Sequence, residues 1–346
     1  MTLARLLGTD LALIQAPMAG VQGSALAAAV SNAGALGSLP AALLSPAALD
    51  AELAALVRLT DRPFNVNFFC HAPPRPDAAR ESAWRTRLAP YYQELGVPTA
   101  AVPAPARTPF DAAAAEILAR HRPRVVSFHF GLPAPPLLAS VKRWGATVLG
   151  SATTVAEALW LEAHGADAVI AQGLEAGGHR GLFLTSDLAS QLGTHELVRR
   201  VVAAVRVPVI AAGGIADAAS VAAAVALGAQ GVQVGTAYLC CAEASTSAIH
   251  RAALLGPGAA HTVVTNLYTG RPARAIVNRL IRELGAIDAR IPAFPLAAAA
   301  LGPLRAEAER RRLGDFSPLW CGTNASGCRD APAAEVTQGL ASGLRR

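Results

Sequence analysis

The residues best suited to chemistry lie in one segment, Gln172-Gly173-Leu174-Glu175-Ala176-Gly177-Gly178-His179-Arg180-Gly181. Its four glycines let the backbone approach a ligand closely. An imidazole donates, accepts or takes a proton near neutral pH, so His179 offers a base or an anion-orienting donor. A surface loop with an incidental histidine is the plain alternative. The paired Gly177 and Gly178, following directly on an apolar run, argue against it. A second imidazole, His129, stands in Ser127-Phe128-His129-Phe130-Gly131. In a strand, alternation sends both phenylalanines to the far side and turns His129 toward His179. A satisfied core histidine fits that segment equally well. His71 directly follows an apolar run and stays undecided. His121, His164, His195, His250 and His261 fall in helical or loop contexts and read as incidental.

Two glycine pairs suit an anion. Ala211-Ala212-Gly213-Gly214-Ile215 ends one apolar run, and Gln233-Val234-Gly235-Thr236 lies in the next. Amides freed by glycine beside a helix start make an anion cradle, the alternative being tight turns only. Two further segments suit a planar ring. Gln15-Ala16-Pro17-Met18-Ala19-Gly20 bends its backbone at Pro17 and Gly20. Phe64-Asn65-Val66-Asn67-Phe68 alternates, so Asn65 and Asn67 share the side opposite the phenylalanines. Either the edge of a heteroaromatic ring or neighbouring backbone would satisfy those amides.

Eight apolar runs place these segments: 11–18, 35–39, 64–69, 124–130, 146–150, 168–172, 207–212 and 231–239. Several are continuously hydrophobic, as strands covered on both faces must be. Helical stretches separate them at 24–32, 45–59, 154–164 and 217–227, with Ser45 and Asp217 as N-caps. Eightfold strand–helix alternation predicts a (β/α)8 TIM barrel, whose chemistry sits at the carboxyl ends of the strands. A doubly wound open sheet is the rival, weakened because no GxGxxG opens the first crossover. In a barrel, the glycine pairs fall after strands seven and eight, the usual phosphate site. Two stretches break the rhythm. Residues 71–108 form a Pro-, Arg- and Ala-rich excursion with a helix near 79–88. Residues 242–312 read as a helical cap (245–255, 275–284, 296–312) inserted after the eighth strand. This divides the chain into a barrel of residues 1–241 and 313–346 and a cap of 242–312.

Composition sets limits. Hydrophobic residues are 53% and charged residues 16%, enough apolar surface for a large core. Net charge is +6, but the arginines are scattered, so no nucleic-acid partner is expected. The five cysteines form no CxxC pair, so neither a disulfide framework nor a metal site is expected. No apolar run reaches membrane-spanning length, and a cytoplasmic protein is expected.

The chain resembles the nitronate monooxygenases, formerly 2-nitropropane dioxygenases, of class I. The resemblance rests on segments 15–21, 64–71, 127–133, 171–183, 208–215 and 231–240 and on Thr269-Gly270-Arg271-Pro272-Ala273-Arg274. It implies FMN, alkyl nitronate or nitroalkane substrates with propionate 3-nitronate as the natural toxin, dioxygen as co-substrate, and a homodimer as one assembly. It also implies that Met18, Asn67, Gln172, Gly177, Gly178, Gly213, Gly214, Gln233, Gly235 and Thr236 hold the flavin. His179 would be catalytic, with His129 across the substrate cavity and Arg180, Arg271 or Arg274 attracting the anion. Residues 294–304 lack the tyrosines and lysine expected of the family's substrate pocket, for which Tyr268 would substitute in part. Leu319-Trp320 keeps the start of a flavin-adjacent loop. Two other activities fit some of the same residues. One is an FMN-dependent NAD(P)H:quinone or enoyl-thioester reductase, the other a phosphate-binding barrel isomerase or binding module.

Overall fold

The computed structural model describes residues 2–98 and 107–345. All eight apolar runs form strands: β1 (Leu13–Gln15), β2 (Gly37–Pro40), β3 (Phe64–Phe69), β4 (Val125–His129), β5 (Thr147–Ala152) and β6 (Ala168–Gln172). After a two-residue strand outside the ring, β7 (Gly178–His179), come β8 (Val209–Ala212) and β9 (Gly231–Val234). The parallel order β1-β9-β8-β6-β5-β4-β3-β2 is closed by a bridge between Ile14 and Leu36. There Gln15 N–H donates to Leu36 O and Leu36 N–H to Leu13 O, each at 2.9 Å. Closure excludes the doubly wound rival, because a ring leaves no edge strand.

Period-two alternation sorts the side chains. Phe64, Val66 and Phe68 of β3 join Val126 and Phe128 of β4 in the layer under the outer helices. Their neighbours point inward. At the amino ends of the strands the interior is an apolar plug of Ile14, Val125, Leu149, Ile170 and Ile210. Leu3 and Leu7 of the N-terminal helix Leu3–Leu7 seal it from below. The polar inward residues sit above this floor, at the carboxyl ends. Helix starts follow the expected caps. The Ser45 side chain accepts from Ala48 N–H, and Asp217 forms a capping box with Ser220. The C-terminal helix Ala333–Ala341 packs Val336 and Leu340 into the barrel's outer layer.

Residues 242–312 depart from the all-helical expectation. They contain β10 (Thr262–Thr265) and β11 (Ala273–Ile276), and β11 also pairs with β7 in an antiparallel sheet of order β10-β11-β7. Ala and Arg are helix formers, but cross-strand pairing overrides weak local preference. The helix expected from 275 therefore starts only at Arg279, where Asn278 caps it. The excursion helix also runs further than expected, as Ala78–Leu95, and packs on Ala297–Arg310. Trp84 Nε1 donates to Ala297 O at 3.1 Å and the Tyr92 hydroxyl to Ala300 O at 2.5 Å. Residues 99–106 of the excursion lie outside the described residues. Among the described residues no helix is long and apolar enough to cross a membrane.

Candidate active site

The carboxyl mouth of the ring opens into a cavity with about 1330 Å3 of empty space, counted out to solvent. Its lining contains both candidate catalytic residues, His129 and His179. It also contains all ten candidate cofactor residues, from Met18 and Asn67 to Gly235 and Thr236. Most come from, or directly follow, the ends of β3, β4, β6, β8 and β9, which explains how positions so distant in sequence converge.

On one side the wall is backbone. Gly213 and Gly214 have φ of 118° and 71°, a region closed to most side chains. The N–H groups of Gly213, Gly214, Gly235 and Thr236 donate to no other described residue. Their neighbours hold the loop in place. Asn324 Nδ2 donates to Gly214 O at 3.2 Å, and Gly322 N–H to Thr236 Oγ1 at 3.0 Å. Above the floor, Asn67 Nδ2 donates to Ser127 Oγ at 2.9 Å, so neighbouring protein meets part of its demand. Gln233 Oε1 and Asn65 Oδ1 are buried without a partner among the described residues. Free amides on one flank and the orphaned Gln233 amide oxygen within suit a phosphorylated ligand with a polar, flat ring.

On the other side stands His179. Its backbone in β7 pairs with Ala273 of β11, and Arg180 N–H donates to Pro272 O at 2.9 Å. The glycine-rich loop is thereby bound to Pro272, Ala273 and Arg274. His179 Nε2 lies 3.0 Å from Thr269 Oγ1, and its Nδ1 has no partner among the described residues. Its carbonyl accepts from Gln172 Nε2 at 3.0 Å and from His129 Nε2 at 3.2 Å. A carbonyl only accepts, so His129 carries its proton on Nε2. Gln172 also accepts from Gly181 N–H at 2.8 Å. Both Gln172 and His129 thus fix the loop that carries His179.

Several residues on or behind the wall carry no local signal in the sequence. Phe130 does not join the outer layer but backs the cavity wall behind Phe69. With φ of 70° it bends back, 4.8 Å from Phe69 and 6.3 Å from His179 between ring centroids. Phe294 and Trp320 each stand 5.4 Å from the His179 ring. His250 is not incidental. It lines the cavity and its Nε2 donates to Trp320 O at 3.0 Å. His71 is buried edge-on to Phe294 at 4.8 Å. Arg107, at the end of the excursion, lines the cavity too. Arg180 does not: wholly buried, it donates to Gln172 O, Gly173 O and Gln191 Oε1 and clamps the loop from behind. Tyr268 is buried outside the cavity, its hydroxyl 2.8 Å from Asn278 Oδ1.

No Asp or Glu lines the cavity among the described residues. Burial, and then the charges of Arg107, His129, Arg271 and His71, hold His179 well below the ordinary histidine range. Burial chiefly pushes His129 down to about 3, and His71 and His250 to about 4. These imidazoles are neutral at physiological pH in the fold. As pH falls below 6.5 the unfolded chain takes up protons that the folded chain refuses. Stability is therefore complete above pH 6.5 and is lost as pH falls toward 4. His129 and His250 each contribute a loss of about 1.5–2 kcal/mol between pH 6.5 and 5. Urea midpoints of the ligand-free protein at pH 7 and 5 measure this, and equal midpoints would contradict it.

A closed ring with a deep pocket at the carboxyl ends of its strands defines a (β/α)8-barrel enzyme. The sequence model of the nitronate monooxygenase family matches residues 1–342, and the chain belongs to that family of oxidoreductases. It is 44% identical to the nitronate monooxygenase of Pseudomonas aeruginosa, over 99% of this chain and 98% of that one. With the nitronate monooxygenase of Paraburkholderia phytofirmans it shares 43% identity over 99% and 94% of the two chains. The crystal structure of a nitroalkane oxidase from Streptomyces ansochromogenes superposes with a TM-score of 0.90 at 38% identity, covering 99% of this chain and 97% of that one. FabK from Thermotoga maritima superposes at 0.72 with 26% identity, covering 100% and 96%.

Proposed function

We propose that the protein oxidises alkyl nitronates with dioxygen, using non-covalent FMN. The products are an aldehyde or ketone with nitrite and nitrate, and the physiological role is detoxification of propionate 3-nitronate in the cytoplasm. The observation that carries this reading is a neutral His179 in a cavity lined by no carboxylate among the described residues, beside an open anion cradle. Family membership supports the same substrate class.

The donor set fits FMN. Gly213, Gly214, Gly235 and Thr236 would take its phosphate. Met18, Asn67, Gln172, Gly177, Gly178 and Gln233 would line its ring, with Gln233 Oε1 lacking any partner otherwise. When bound, FMN supplies the electron acceptor and the place where dioxygen is reduced. The chain's own residues do the rest. A neutral imidazole at His179 accepts the α-proton of a neutral nitroalkane. A nitronate has no such proton to give, so there His179 orients the nitro oxygens through an N–H. His129, bonded to the His179 carbonyl, positions that loop. Phe69, Phe130, Phe294 and Trp320 exclude water, and residues 242–312 serve as the substrate cap.

The reductase reading is separated by anaerobic mixing of the flavin-loaded protein. Propionate 3-nitronate should bleach the visible flavin band and NADH should not. Bleaching by NADH alone would transfer the protein to the pyridine-nucleotide reductases.

A further inference from the structure

Four arginines stand near the mouth of the cavity, and three of them are occupied. Arg180 is bound to the carbonyls of Gln172 and Gly173 and to Gln191. Arg271 donates to Leu182 O through Nη2 and lies flat on Phe130, its guanidinium carbon 3.7 Å from the ring centroid, so that it is held although its Nε, like that of Arg107, is unpaired among the described residues. Arg274 donates to Leu174 O at 2.7 Å and to Thr262 Oγ1 at 3.1 Å. Arg107 differs. Its guanidinium makes no hydrogen bond and no ion pair with any described residue, and its Nε is buried with no partner. The Phe294 ring faces it, 5.5 Å from the guanidinium carbon, and that same ring is 5.4 Å from His179. The segment behind it is anchored: Phe110 N–H donates to Phe69 O at 2.8 Å, and the Phe110 ring meets Phe68 edge-on at 4.8 Å.

We propose that Arg107 is the substrate-anion site of this pocket, binding a small planar monoanion so that the charged nitronate is held in preference to the neutral nitroalkane. A guanidinium whose Nε is buried and unpaired among the described residues is a costly arrangement unless an anion completes it. Its planar fork matches the two oxygens of a nitronate, as it would a carboxylate. No carboxylate on the cavity wall competes for it among the described residues. Burial lowers its pKa only to about 10, so it is cationic at neutral pH. The same cation helps to keep His179 unprotonated, being the first charge that acts on it after burial. One residue thus favours an anion at the site and keeps the neighbouring imidazole neutral.

The proposal rests on the nitronate reading and is tested with Arg107→Gln and Arg107→Lys in the flavin-loaded protein. Ethylnitronate and nitroethane differ by one proton. The nitronate carries its charge in the ground state, so Arg107→Gln should raise its KM by about 30- to 100-fold. Nitroethane acquires charge only as its proton leaves, so its loss should fall on kcat with KM little changed. Arg107→Lys should restore part of the nitronate KM. Nitrate, a planar monoanion, is titrated in parallel through its perturbation of the visible flavin spectrum. Its affinity should fall by a similar factor in Arg107→Gln. Nitrate affinity and nitronate KM unchanged within twofold, or equal KM increases for both substrates, would overturn the assignment. If the unaltered protein consumes neither substrate yet loses nitrate binding with Arg107, the anion site stands and the nitronate reading fails.

Discussion

Replacing His179 by Asn is expected to lower kcat/KM for neutral nitroalkanes by about 10²- to 10⁴-fold, the usual contribution of a positioned base, with FMN still bound. The substitution is conservative where it must be. His179 is held by β7 pairing with β11 and by the bonds its carbonyl accepts from Gln172 and His129, all of them through backbone. Asn keeps these and retains a polar group toward Thr269. What it removes is the ability to take a proton. The anionic nitronate needs no base, so its turnover should fall by about tenfold or less, the share of one orienting hydrogen bond. The pH dependence has a definite sign. Burial and nearby cations hold the His179 pKa well below 6.5, and a base works only when deprotonated. Nitroethane turnover should therefore show no acid limb near pH 6.5, only one well below it. Steady-state kinetics with both substrates across pH, beside flavin content, make the check. Unchanged nitroethane oxidation in His179→Asn would remove the imidazole from this role.

Gly213→Val should strip the protein of FMN while leaving the barrel folded. At φ of 118° a side chain is strained, and an added Cβ would lie 2.8 Å from Thr194 Oγ1 and 2.9 Å from the Ala176 nitrogen. Neither neighbour is free to retreat. Ala176 N–H donates to Gly173 O at 3.1 Å, and Thr194 Oγ1 is 2.7 Å from a Glu175 carboxylate oxygen. The loop must shift, and its free amides shift with it. Backbone strain of this kind costs about 1–3 kcal/mol. Together with misplaced donors it should weaken FMN binding by roughly 10²-fold. Fluorescence titration of FMN onto the stripped protein reads the loss, and far-UV circular dichroism confirms the fold. Wild-type FMN affinity in Gly213→Val would show that the phosphate lies elsewhere.

The sequence makes the ring legible because parallel strands covered on both faces must be apolar throughout. Alternation then places Asn67 and His129 inside without further information. It fails at Phe130, where a positive φ ends the alternation and packs the ring behind the cavity wall against Phe69. The pairing of β7, β10 and β11 is invisible for a different reason. It joins Gly178 and His179 to residues almost a hundred positions later, and Ala273–Ile276 has no strong preference of its own. Arg180 illustrates a third limit. Adjacency to His179 makes it look like an anion binder, yet alternation turns it into the wall, where backbone carbonyls occupy it. Arg107 and His250 reach the cavity from segments outside the barrel rhythm, so no local signal marks them.

The most direct test of the proposed activity is oxygen uptake by the FMN-loaded protein on addition of propionate 3-nitronate at neutral pH, with NADH absent. Rapid uptake, accompanied by nitrite and by loss of the nitronate, is the expected result. A fully flavin-loaded protein that consumes no oxygen with this or any alkyl nitronate would contradict it.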